Sequence, residues 1–189
     1  FNFSFINFVI LPALFLLVVY IKKRSKSIYR KKPFYRYLFL VGFFFGFGFY
    51  LSGIFWISYS LTFDENFKFL IPISLILIPL FLGIFTGIPI LIFGQFFNNN
   101  FSSILLFSGS LALSDFFRGK ILTGFPWNLF SYSLSWLTEV LQILNTLGLY
   151  AFNLVVITVF TLPALLFSGY DIKKKTLIFG LFFTFLFSV

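Results

Sequence analysis

The sequence predicts an all-α, polytopic transmembrane helix bundle, and three observations lead there. Of 189 residues, 60% are apolar and only 10% charged, against about 45–50% and about 25% in a soluble domain, whose surface must face water. The apolar residues run in long blocks separated by short polar knots, and most blocks can cross a hydrocarbon core of about 30 Å at about 1.5 Å per residue. The blocks also lack the alternation and the roughly ten-residue length of barrel strands. In lipid every backbone donor and acceptor must be satisfied within its own segment, so helices are required.

About six spans follow in order, at approximately 1–21, 37–61, 67–97, 101–117, 140–167 and 176–189. The first is not a signal peptide, because its charges follow the apolar run and no small-residue cleavage site appears. The chain starts and stops inside apolar runs and contains no Met. The whole of 1–189 is therefore expected to be one membrane module truncated at both ends.

Charge sets the expected orientation. Lys22, Lys23, Arg24, Lys26, Arg30, Lys31, Lys32 and Arg36 crowd one connection with no acid among them. Positively charged loops stay on the cytoplasmic side, which places 22–36 inside and, by alternation, Lys173 to Lys175 inside as well. The segment from Arg118 to Glu139 then lies outside, together with Asp64, Glu65 and Lys68. A basic loop between two apolar spans meets anionic headgroups first, so no nucleic-acid partner is expected.

Small and rigid residues predict packing. Gly42, Gly46 and Gly53 share a helical stripe with Gly48 nearby, and Gly83 and Gly87 repeat the small-xxx-small spacing that lets backbones approach closely. Pro72, Pro79 and Pro89 predict a kinked or broken third span. The 35 Phe are read as composition bias at lipid-facing positions, because Ala occurs only at Ala13, Ala112, Ala151 and Ala164. With no Cys and no His, thiolate chemistry, disulfides and the commonest metal ligand are excluded from these residues, and no metal or cofactor is expected.

The chemistry-bearing stretch is Leu113 to Glu139, where the composition changes. Asp115 and Arg118 lie three apart, so on a continuing helix they share a face and pair. Thr123-Gly124-Phe125-Pro126-Trp127 should end that helix at the headgroup level. Basic residues on the outer side run against the orientation bias. Arg118 and Lys120 are therefore candidates to hold a lipid phosphate, Arg118 by bidentate hydrogen bonds and Lys120 as a point charge. Glu139 is either an acid at a helix start or a polar wall of the same site.

Several of these residues carry a family pattern. Gly42-Phe43-Phe44-Phe45-Gly46-Phe47-Gly48-Phe49-Tyr50 with Gly53 and Trp56, then Asp115-Phe116-Phe117-Arg118-Gly119, then Thr123 to Asn128 with Tyr132, and Leu147-Gly148-Leu149-Tyr150 resemble bacterial apolipoprotein N-acyltransferase. The resemblance runs in order and spacing from about Phe3 to Val189. One departure is visible: Asp115-Phe116 stands where that family has Glu-Trp, so the carboxylate is set back by one methylene.

The resemblance implies transfer of a fatty acyl chain from a phospholipid, phosphatidylethanolamine above all, to the α-amino group of a diacylglyceryl-cysteine lipoprotein in the bacterial inner membrane. It implies a thioester acyl-enzyme formed by a Glu, Lys and Cys set in a nitrilase-like domain, none of which is in this chain. On this reading 1–189 should be inactive alone and should position substrates and the catalytic domain. Asp115, Arg118, Lys120, Gly124, Phe125, Pro126, Trp127, Tyr132, Glu139 and Trp56 are the expected substrate-side residues, with Asp115 fixing Arg118. A small transporter or permease subunit is the competing reading, favoured by the proline-rich third span. It lacks a mid-membrane charge or an internal repeat in its support.

Overall fold

The computed structural model describes residues 4–25, 34–121, 126–169 and 171–187. The described residues are helical with no strand: α1 Asn7–Ser25, α2 Phe34–Ile54, α3 Ile71–Phe93, α4 Phe101–Ile121, α5 Thr138–Leu141, α6 Ile143–Leu147, α7 Leu149–Thr161 and α8 Ile172–Phe187. Helix α2 runs on as a 3₁₀ helix over Phe55–Thr62, and 3₁₀ turns over Glu65–Leu70 and Leu162–Phe167 flank α3 and α7. Three stretches are long and apolar enough to cross a membrane: Phe34–Thr62, Glu65–Phe96 and Leu149–Phe167. Helices α1 and α4 carry charged ends, Lys22 to Arg24 on α1 and Asp115, Arg118 and Lys120 on α4.

The tightest seam joins α2 to α3. A Cβ on Gly42 would stand 2.8 Å from the Thr86 carbonyl oxygen, and one on Gly83 would stand 3.0 Å from that of Phe43. Any side chain here would push the backbones apart, as the small-residue spacing predicts. The stripe divides in its use, however. Gly53 leaves room for the Asn128 side chain, and a Cβ on Gly48 would meet nothing within 4 Å.

The third apolar block is neither broken nor divided at its prolines. Ile71–Phe93 is a single α-helix with Pro72 in its first turn, where the missing N–H costs nothing, and with Pro79 and Pro89 inside. Pro89 deprives the Phe85 carbonyl of its intrahelical donor, and the Ser114 hydroxyl of α4 donates to that carbonyl instead. The fifth block, expected at about 140–167, is divided where the third is not. Short helices α5 and α6 precede a break at Gly148, whose φ of 75° admits glycine readily, and the long helix starts at Leu149.

The core lies between α1, α4 and α7. Leu11, Phe15 and Val18 meet Ile104, Phe107 and Leu111, with Phe152, Val156 and Phe160 closing the third side. Phe15, Phe97 and Phe107 form a cluster with centroids 5.6–5.9 Å apart. Phe is therefore more than lipid-facing filler. Phe63 is 92% exposed, whereas Phe15, Phe97, Phe107 and Phe152 are wholly buried, and the large rings fill the space between helices that Leu or Ile would otherwise have to fill.

At the Lys22 end, polar groups knot the turn between α3 and α4. Lys22 Nζ donates to the Phe97 carbonyl and to Asn98 Oδ1, both at 2.9 Å. Asn100 Oδ1 accepts from the Ser103 backbone N–H at 2.9 Å and so caps α4. Lys22 is thus buried and structural, in addition to any part it takes in orienting the chain.

Candidate functional site

The opposite end of the bundle holds the informative stretch. Helix α4 continues through Asp115 and Arg118 to Ile121, so the three-residue spacing puts both side chains on one face, and Arg118 Nη2 donates to Asp115 Oδ1 at 3.0 Å. The pair faces inward. Arg118 is 0% exposed, the largest fully buried side chain among the described residues, and its guanidinium stands 5.2 Å from the Tyr50 ring centroid. A charge in that position is tolerable only when hydrogen bonds and a counter-charge replace water.

The replacements come from three elements. Arg118 Nη1 donates to the Trp127 carbonyl at 2.8 Å. The second oxygen of Asp115 accepts from Asn153 Nδ2 on α7 at 2.9 Å, and Asn153 Oδ1 accepts from the Ser131 backbone N–H at 3.0 Å. One chain of polar contacts therefore anchors the segment after α4 at two points, Trp127 and Ser131, to the ends of α4 and α7. Ring contacts support it: Phe49 stacks on Phe130 at 4.3 Å, and Phe116 meets Tyr150 edge-on at 5.3 Å.

The anchored segment walls a cavity of about 290 Å³ bounded by Gly53, Ile54, Trp56, Pro126, Trp127, Asn128 and Tyr132. Trp127 lies stacked on Trp56, centroids 5.0 Å apart and planes 25° from parallel. Asn128 turns the chain with a φ of 56°, a left-handed conformation that Asn tolerates better than most residues. Its Nδ2 donates to the Phe49 carbonyl at 3.2 Å, which fixes the segment to α2. Trp56, Trp127 and Tyr132 are each almost half exposed, so their faces are open to a ligand. Partial burial and the neighbouring Tyr150 push the Tyr132 phenol upward against the opposing pull of Arg118.

The sequence-predicted residues fall into distinct places. Trp56, Pro126, Trp127 and Tyr132 share the cavity, and Asp115 holds Arg118 as the spacing predicts. Arg118, the candidate to hold a lipid phosphate, is buried, and its guanidinium donates to Asp115 and to the Trp127 carbonyl; desolvating an arginine at the end of an apolar bundle requires such partners. Lys120 does not join it. The exposed ammonium lies over the Phe116 ring, 5.7 Å from its centroid. Gly124 and Phe125 lie outside the described residues, as does the Glu139 side chain, whose backbone belongs to α5. Asn153 and Ser131 were not predicted. The available signal was a single amide within the apolar α7, an expensive residue in a span unless it serves a partner.

Fold and site together define a helical membrane protein with an aromatic cavity braced from behind by a buried ion pair. Residues 1–162 match the family model described as apolipoprotein N-acyltransferase N-terminal domain, and the chain belongs to that family. Among curated relatives, the apolipoprotein N-acyltransferase of Rhodopseudomonas palustris is 32% identical over 131 residues, which cover 69% of this chain and 24% of that protein. That of Brucella melitensis is 34% identical over 131 residues, 69% of this chain and 25% of the relative. That of Rhizobium meliloti is 26% identical over 145 residues, 76% of this chain and 27% of the relative. The chain thus spans about a quarter of the length of the curated relatives it matches.

Proposed function

We propose that these residues form the membrane module of an apolipoprotein N-acyltransferase, and that the Trp56–Trp127 cavity receives the phospholipid acyl donor at the outer face of a bacterial inner membrane. The observation that carries the reading is the bond from Arg118 to the Trp127 carbonyl. A buried ion pair is costly to desolvate, and here it is spent on fixing the backbone of an exposed aromatic residue beside a cavity. Headgroup-level tryptophans present one apolar face and one polar edge, which suits a lipid crossing from chain to headgroup. Arg118 acts as a positioning residue, and Trp56, Trp127 and Tyr132 make the contacts.

In this reading the six spans include α1, α4 and α8, whose charges sit at or beyond the hydrocarbon boundary. The 22–36 and 173–175 connections are cytoplasmic, and the segment from Arg118 to Glu139 is extracytoplasmic. The donor is a phospholipid such as phosphatidylethanolamine, and the acceptor is the α-amino group of a diacylglyceryl-cysteine lipoprotein. The acyl group passes through a thioester, and with no Cys in the 189 residues the thiolate belongs to another part of the enzyme. The module contributes proximity: it turns a lipid encounter in two dimensions into an oriented one.

The test uses the full-length enzyme reconstituted in phospholipid vesicles. Trp56→Ala and Tyr132→Phe should raise the KM for the phospholipid donor severalfold with a smaller change in kcat, as lost donor binding does. Wild-type kinetics in both variants would overturn the assignment of the cavity.

A further inference from the structure

A second cavity lies on the side of the bundle between α1 and α2. Its volume is about 710 Å³, and Ala13, Leu14 and Leu17 of α1 face Leu40, Val41 and Phe44 of α2 across it. At its two ends stand Tyr37 and Ser52, separated along α2 by about 22 Å at about 1.5 Å per residue. Between them the lining is almost entirely hydrocarbon. Gly48 forms part of the floor, and a side chain there would meet nothing within 4 Å. The contrast with the α2–α3 seam is physical: glycine there brings backbones into contact, whereas on this face it leaves a trough.

The trough and the tryptophan cavity are neighbours along α2, with no lining residue in common. Phe49 lines the trough, and its carbonyl oxygen accepts from Asn128, a wall of the cavity. Ser52, the last trough residue, is followed directly by Gly53, the first cavity residue. A ligand that fills both must have a long unbranched apolar part and a polar end separated by one bend, and it must reach the site from the lipid. A trough of about 22 Å exceeds the half-thickness of a hydrocarbon core of about 30 Å, so one leaflet's acyl chain fits within it.

We infer that the α1–α2 trough is an acyl-chain site: it holds one fatty chain of an outer-leaflet phospholipid whose headgroup end lies at Trp56 and Trp127. The inference rests on the reading of the tryptophan cavity and adds the seam by which the lipid is held. Gly48 is its key residue, because the absence of a side chain leaves the slot open at its middle.

The test is photolabelling of the full-length enzyme in vesicles of phosphatidylethanolamine carrying a diazirine on one acyl chain, with adducts mapped by mass spectrometry. Label should concentrate on the facing segments around Leu14 and Leu17 and around Val41 and Phe44. Gly48→Phe, whose Cβ meets nothing within 4 Å, should reduce that label about tenfold while leaving the label on the exposed Ile73, Ile76 and Leu77 of α3 unchanged. Even labelling of all exposed helices, insensitive to Gly48→Phe, would overturn the site, as would a protein segment crosslinked into the trough. The two readings separate in this design. Even labelling together with the KM defect of Trp56→Ala removes the trough alone, whereas trough labelling with wild-type kinetics in Trp56→Ala removes the cavity reading.

Discussion

Arg118 Nη1 lies 2.8 Å from the carbonyl oxygen of Trp127, so the position of an exposed indole is set by a side chain with no exposed surface of its own. The two residues are nine apart in sequence, and α4 ends at Ile121 between them. Replacing Arg118 with Ala would strand Asp115 as a buried charge with only Asn153 as a partner. A loss of about 3–5 kcal/mol is expected for breaking such a pair from one side, and thermal unfolding in detergent measures it. Arg118→Lys should also destabilise, because an ammonium lacks the fork that reaches Asp115 and the carbonyl together.

Asn153 should matter almost as much, although it does not line the tryptophan cavity. Its amide satisfies Asp115 on one side and the Ser131 N–H on the other. Asn153→Leu leaves two buried polar groups without that partner, and about 1–3 kcal/mol for each is the usual scale. Asn153→Asp brings a second carboxylate up to Asp115 and should be no better than Leu at neutral pH. Equal unfolding temperatures for Asn153→Leu and wild type would remove the network from the account.

The Ser114–Phe85 bond makes a prediction about proline. Ser114→Ala should destabilise by about 1 kcal/mol, because the Phe85 carbonyl freed by Pro89 loses its replacement donor. In a Pro89→Ala background the helix supplies its own N–H, and the same Ser114→Ala change should cost distinctly less. A double-mutant cycle reads the difference directly, and an additive cycle would show that the serine does not serve the proline.

Two glycines six apart along α2 should behave oppositely. Gly42→Leu forces a Cβ to 2.8 Å from the Thr86 carbonyl and 2.9 Å from Ile90, so α2 and α3 must separate, at a cost of several kcal/mol. Gly48→Ala meets nothing and should be neutral or stabilise by up to about 1 kcal/mol through helix propensity. Similar stabilities for the two variants would contradict the packing described here.

Helical class, the Asp115–Arg118 pair and the grouping of Trp56, Pro126, Trp127 and Tyr132 were legible in the sequence. Lipid forces helices, a three-residue spacing forces a shared face, and a Gly-Phe-Pro-Trp sequence marks a helix end. What was illegible depended on direction and distance. A helix has two sides, and the spacing that pairs Arg118 with Asp115 does not say whether they face lipid headgroups or Tyr50. Nor does a proline tell whether a neighbouring helix carries a donor for the carbonyl it frees; Ser114 lies 25 residues beyond Pro89 and reaches it only through the fold. The break at Gly148 was hidden for a similar reason, since the apolar run continues through it while the backbone leaves the helical conformation.

The central claim is that Trp127 is held in place to meet the acyl donor. The direct measurement compares phospholipid-to-lipoprotein acyl transfer by full-length Trp127→Ala with a Trp136→Ala control, Trp136 being equally exposed but outside the cavity. Loss of a large apolar contact of about 1.5–3 kcal/mol corresponds to a fall of roughly tenfold to a hundredfold in kcat/KM, and that fall is expected for Trp127→Ala alone, with both variants folded and inserted. Equal rates in the two variants would contradict it.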